Sequence, residues 1–214
     1  MKKNLFDFFP DYFKSYRTHF DRAVRYTKGQ GFQLDSEIRD DDYLGQAQII
    51  AEEIAKHIPD RLFQYQAIGL KALAAFGGDC GNTHYSILQF IQQYYPKVPA
   101  NLTIGGIDLG ASSSFDFSEQ EFERWRTSRP EIFDCHAWIT IGNRIILDAT
   151  IMTYVNTRLR QTCAVGGVLV GEHKHFELHL IPDTDNVSPA LVRWPVYRPV
   201  AIGVRAFKDI APLA

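Results

Sequence analysis

The sequence predicts an α+β fold, on three observations. Apolar residues in the first part recur at three- and four-residue steps, those in the last part alternate every second residue, and no repeat or low-complexity linker intervenes. The 214 residues, 45% of them hydrophobic, can bury a core as one domain. Within it we take residues 1–60 as a helical N-terminal part and 61–214 as a core with a C-terminal sheet.

Each element follows from local pattern. Phe9, Tyr12, Phe13, Tyr16 and Phe20 fall at helical steps and read as the packed face of an amphipathic helix. A polar break at 28–42 ends in Asp40, Asp41 and Asp42, a solvated helix start; the glycine and spaced oxygens of a calcium loop are missing. "YLGQAQIIAEEIAKHI" is helical and ends before Pro59, and "LFQYQAIGLKALAAF" is a further helix leading to Gly77 and Gly78. A helix opens at Cys80. Beyond it, "LTIGGIDLG" is a strand, and "SEQEFERW" opens a helix with a capping box of Ser118 and Glu121. The strands "CHAWITIGNRIILDATI", "AVGGVLVG", "HFELHLI" and "VYRPVAIGVRAF" follow.

Composition narrows the function classes. A formal net charge of -2 supplies no basic field for nucleic acid. The opening "MKKNLFDFFPDYFK" mixes Asp7, Pro10 and Asp11 into its aromatics, unlike a signal peptide, and no window approaches the ~20 apolar residues of a membrane span. A cytoplasmic protein is the expectation. Three cysteines, Cys80, Cys135 and Cys163, with no CxxC pair, argue against a disulfide framework and leave at least one thiol free.

Cys80 stands where a thiol gains reactivity. With Asp79 as N-cap it occupies a first helical turn, whose free amides and positive dipole end favour the thiolate. It shares a helix face with His84, Ile87, Leu88 and Ile91, so the sulfur points toward the protein. Gly77, Gly78 and Gly81 leave the nearby backbone uncovered for a substrate carbonyl to approach the Cys80 amide. A small buried cysteine would suit the same position.

A second element supplies a base. In "CHAWITIGNRIILDAT" an even pairing sum, from a loop with an odd number of residues, places Ala137, Ile139, Ile141, Ile145, Leu147 and Ala149 on one face. The other face carries His136, Trp138, Arg144, Ile146 and Asp148, and at a sum of 284 His136 stands directly opposite Asp148. Singly, His136 and Asp148 have ordinary structural readings. Together with Cys80 they supply a nucleophile, a base and a carboxylate to orient the base.

In "GGDCGNTHYSIL", "CHAWITI" and "RIILDAT" the chain resembles the transglutaminase-like branch of the papain-fold cysteine enzymes over roughly residues 60–160. The resemblance implies Cys80 as nucleophile, His136 as general base and Asp148 as its orienting residue. It further implies a papain-like core, a thioester intermediate, and either amide hydrolysis or acyl transfer to an amine. The partner implied is a peptide or protein amide, with no cofactor and no metal. Gln64, Gln66 and Trp138 are candidates for the second oxyanion donor, though none has the family's local signature. Gly78 and His84 are candidates for lining the site, with packing an equal reading of His84; Trp125, Trp138 and Tyr154 are candidates for a substrate groove, with core packing the better reading of most of them. Ala149 stands where the family often has proline.

Other readings compete. Cys80 and His84 at i and i+4 could join Cys135 and His136 around zinc, but adjacent strand residues point to opposite faces. His173, His175 and His179 share a strand face, more simply an exposed one. A papain-fold binding module without chemistry, or a cell-wall peptidase of another papain-like group, are the alternative functions; the first predicts an unreactive Cys80.

Overall fold

A computed structural model describes residues 15–67, 71–109, 114–128, 130, 134–159, 164–172, 175–180 and 194–211. Phe9, Tyr12, Phe13, Cys163 and His173 lie outside the described residues. Among the described residues, the elements in order are α1 (Tyr16–Gly29), α2 (Leu44–Ala67), α3 (Ala72–Gly78), α4 (Cys80–Tyr94), β1 (Ala100–Asp108), β2 (Ser114–Phe115), α5 (Glu119–Ser128), β3 (His136–Ile141), β4 (Ile145–Asp148), α6 (Ile151–Leu159), β5 (Val168–Glu172), β6 (His175–His179), β7 (Val196–Ile202) and α7 (Val204–Ile210). The fold is α+β. Helices α5, α6 and α7 stand between or after strands, so helices and sheet are less segregated than the periodicity predicts.

All strand pairs are antiparallel, in the order β2-β1-β3-β4-β5-β6 with β7 also on β1. β7 pairs with residues that β2 and β3 also pair with, so it takes the opposite edge of β1. One sheet face carries Leu102, Ile104, Ile139, Leu147 and Val170, with α2 and α4 packed on it. The other carries Trp138, Ile146, Leu169 and Tyr197, beneath α1 and α6. This alternation is why β3 and β4 are buried along their whole length.

Several boundaries differ from expectation. α2 runs through Pro59 and across residue 60, although the proline removes an amide from the ladder. Buried Ile50, Ile54 and Ile58 hold that helix to the core up to the proline, and the partly buried Leu62 and Tyr65 pack against the same core beyond it. The acidic run does precede α2, with Asp42 Oδ1 accepting from the Leu44 amide at 3.1 Å. Ser118 Oγ accepts from the Glu121 amide at 3.3 Å, whereas the Glu121 carboxylate turns to Arg124 rather than back to the cap.

The β3–β4 hairpin has the expected parity with a shifted register. Ile139 pairs Leu147 and Ile141 pairs Ile145, so the numbers sum to 286 and not 284. Gly142, at φ +63°, opens a three-residue loop, and Asn143 is anchored to Asp40 at 3.2 Å. All six odd-numbered apolar residues lie in one cluster. Arg144, expected on the opposite face, sits in the loop and pairs with Glu172 at 3.0 Å. His136 is therefore diagonal to Asp148, a separation that an imidazole can span.

Candidate active site

Two helices meet at Asp79, which ends α3 and precedes α4. Its carbonyl accepts from the Thr83 amide at 3.1 Å, while its carboxylate makes no side-chain cap. That carboxylate instead takes the Tyr65 hydroxyl and, at 2.9 Å, the Asn82 side-chain amide. Burial raises its pKa, against the pull of Asn82 and Arg61. Asp79 thus ties α2 to the start of α4, a role that short-range capping rules do not anticipate.

The glycines divide by purpose. A Cβ on Gly77 would lie 3.0 Å from the Tyr154 backbone nitrogen, so this glycine lets α3 pack against α6. On Gly81 it would lie 2.8 Å from Phe207 Cε1. Only Gly78 faces open space, with Arg158 Nη2 the nearest atom at 3.9 Å. The uncovered backbone expected at all three is therefore found at Gly78.

Cys80 is half-buried at the start of α4 and opens on a cleft of about 790 Å³. His136 lines the same cleft, with Phe115, Tyr154 and Phe207 as aromatic walls and Arg158 at the edge. Cys135, buried just before β3, also reaches it; burial, with Cys80 and Asp134 nearby, pushes its thiol up.

The hydrogen bonds of His136 and Asp148 are fixed from several sides. His136 Nε2 donates to Asp148 Oδ2 at 2.7 Å, and the Tyr197 hydroxyl donates to the same oxygen at 2.9 Å. The other oxygen, Oδ1, accepts from the Thr150 and Ile151 amides at 2.9 and 3.0 Å, at the start of α6. Burial opposes the charge on both groups. On His136 the Asp148 carboxylate, with Cys80 acting by charge and hydrogen bonding, overcomes it and pushes the imidazole up to about 10. On Asp148 the His136 imidazole, by charge and by hydrogen bond, overcomes it and holds the carboxyl well below the usual carboxylate range. With Nε2 committed to Asp148, Nδ1 is the nitrogen left for Cys80.

His84 is fully buried and does not line the cleft. Its Nε2 accepts the Ala149 amide at 3.0 Å and its Nδ1 donates to the Cys80 carbonyl at 2.8 Å, which fixes the tautomer and braces α4 against the end of β4. Both ring nitrogens are thereby engaged, so the zinc grouping has no lone pair from His84. Among the described residues no group of three or more His, Cys, Asp or Glu side chains could hold a metal, and no helix is long and apolar enough to cross a membrane.

Trp138 is also fully buried and is no part of the cleft lining. It stacks behind the His136 ring at 6.2 Å, with Phe115 at 5.3 Å from the same ring. Its indole N–H donates to Tyr16 Oη at 2.8 Å, and the Tyr16 hydroxyl shares a hydrogen bond of 2.6 Å with Thr140 Oγ1. Gln64 and Gln66 are exposed on α2 and outside the cleft. Trp125 is buried in the core, whereas Tyr154 does line the cleft. Sequence reasoning missed Tyr197, Phe115 and Phe207. β7 brings Tyr197 in from 49 residues away, and nothing local marks it. The chain matches no family model, no curated protein and no solved structure.

Proposed function

We propose that this chain is a thiol-dependent enzyme acting on amide or related acyl groups, a cysteine hydrolase or acyltransferase of the transglutaminase-like, papain-fold kind. The observation that carries the reading is the His136 imidazole, bound to buried Asp148 through Nε2 and acted on by Cys80 at the wall of a cleft.

In this reading His136 Nδ1 takes the Cys80 proton and the sulfur attacks the substrate carbonyl carbon. The carbonyl oxygen becomes an oxyanion facing the first-turn amides of α4, which have no acceptor within the helix. Collapse breaks the C–N bond, and His136 gives its proton to the departing amine. The thioester then meets water or an amine. His136 takes a proton from that nucleophile, the C–S bond breaks, and Cys80 leaves and is reprotonated by His136. Asp148 stays ionised throughout and holds the ring. Phe115, Tyr154 and Phe207 suit an apolar acyl side chain.

The test is alkylation by iodoacetamide from about pH 4 to about pH 9, with peptide mass spectrometry assigning rates to the three cysteines, in the native chain and in His136→Ala. The reading expects Cys80 alone to react fast at acidic to neutral pH and to lose that advantage without His136. A Cys80 as slow as Cys135 and Cys163, or one indifferent to His136, would make the chain a binding module instead.

A further inference from the structure

Away from the Cys80 cleft, α2 and α4 lie over the same sheet face with a recess of about 260 Å³ between them. Its apolar walls are Ile54, Ile58, Ile87 and Phe90; among its polar lining of His57, Asp60, Gln64, Ser86, Thr83 and Arg61, the last two stand out. Both leave a buried atom without a partner: Thr83 Oγ1, on a residue 4% exposed, and Arg61 Nε.

These vacancies are specific. A helical hydroxyl ordinarily returns to the carbonyl four residues back, as Ser86 does to Asn82 at 2.9 Å. Thr83 makes no such bond; the Asp79 carbonyl is taken by the Thr83 amide at 3.1 Å. On Arg61 the two terminal nitrogens are engaged, Nη1 with Gln64 Oε1 at 3.3 Å and Nη2 facing Asp79 at 4.0 Å. Nε–H is left as an unused donor. Buried polar groups nearly always find a partner, because leaving one dry forfeits its hydration with nothing in return.

We propose that this recess binds a small amphipathic monocarboxylate. Its apolar body lies between the isoleucines and Phe90, and its carboxylate accepts from Arg61 Nε and the Thr83 hydroxyl. Both vacant groups can donate, one carries positive charge, and a carboxylate accepts from both at once. Asp60 at the rim disfavours a dianion. At ~30 Å³ per water-sized group the recess holds on the order of nine such groups, the scale of a medium-chain fatty acid and far below that of a protein segment.

The test uses the full chain and octanoate, with isothermal titration calorimetry. We expect saturable one-to-one binding, at least tenfold weaker for octan-1-ol, which keeps the body and lacks the carboxylate. Thr83→Val should weaken octanoate at least tenfold while leaving the melting temperature no lower, because it removes an unpaired hydroxyl. Ser86→Trp, an exposed position at the rim, should abolish binding by filling the mouth without touching the core. Absence of saturable binding, equal affinity for octanol, or octanoate binding that survives both substitutions would overturn the proposal. Cys80 alkylation reads the catalytic site separately, so the two readings fail independently.

Discussion

Replacing Asp148 by asparagine keeps the shape of the side chain and removes the charge that His136 depends on. The amide oxygen must take the Oδ1 position, where the Thr150 and Ile151 amides donate at 2.9 and 3.0 Å. Its NH2 then occupies the Oδ2 position, facing His136 Nε2, which lies 2.7 Å from Oδ2 in the native chain. It can donate there only to an unprotonated Nε2, which puts the ring proton on Nδ1, directed at Cys80. An imidazole in that tautomer cannot accept the thiol proton, and the analogous change in a serine triad lowers turnover on the order of 10⁴-fold. Without an imidazolium partner the thiol loses what favours its thiolate, so Cys80 alkylation at pH 6 should fall by roughly two orders of magnitude. His136 should lose the support that lifts it to about 10; the ring is then neutral and leaves no unpaired buried charge, so the stability cost should be that of losing a charged hydrogen bond, about 1.5–3 kcal/mol. Urea unfolding measures the stability, and iodoacetamide labelling of Cys80 at pH 6 measures the reactivity. A folded Asp148→Asn chain whose Cys80 alkylates within threefold of the native rate would refute this reasoning.

Three further outcomes are expected. Tyr197→Phe removes one of the two donors to Asp148 Oδ2 and should cost about 1.5–3 kcal/mol in urea unfolding, the worth of a hydrogen bond to a charged group, while Cys80 labelling slows less than in Asp148→Asn. Gly77→Ala should destabilise by about 1–3 kcal/mol because its methyl meets the α6 backbone, whereas Gly78→Ala should unfold within about 0.5 kcal/mol of the native chain. The ion pair also sets a pH profile. His136 is raised, so its contribution is full below its ordinary value near 6.5 and is lost as pH climbs through about 10; Asp148 is lowered, so its contribution is full above about 3.9 and is lost as pH falls toward its depressed value. Urea midpoints should therefore be highest between about pH 4 and about pH 6.5 and decline toward pH 10, and Asp148→Asn should flatten that profile.

The α+β class, the helix at Cys80 and the parity of the β3–β4 hairpin were legible in the sequence because each rests on periodicity within a few residues. Cys80, His136 and Asp148 could be nominated together for the same reason: a helix start and a hairpin each place their own side chains. Contacts between distant segments were not legible. Tyr197 reaches Asp148 across the sheet, and of the two roles open to each from local pattern, His84 takes that of internal brace and Trp138 that of a buried backing for His136. Asp79 spends its carboxylate on Tyr65 and Asn82 instead of capping α4. Even the one-step shift of the hairpin register depends on where Gly142 can take a positive φ and on Asp40 holding Asn143 from another segment. Local pattern determined which residues share a face. Packing decided which of those faces meet, because burial leaves a polar side chain only the partners that other segments bring to it.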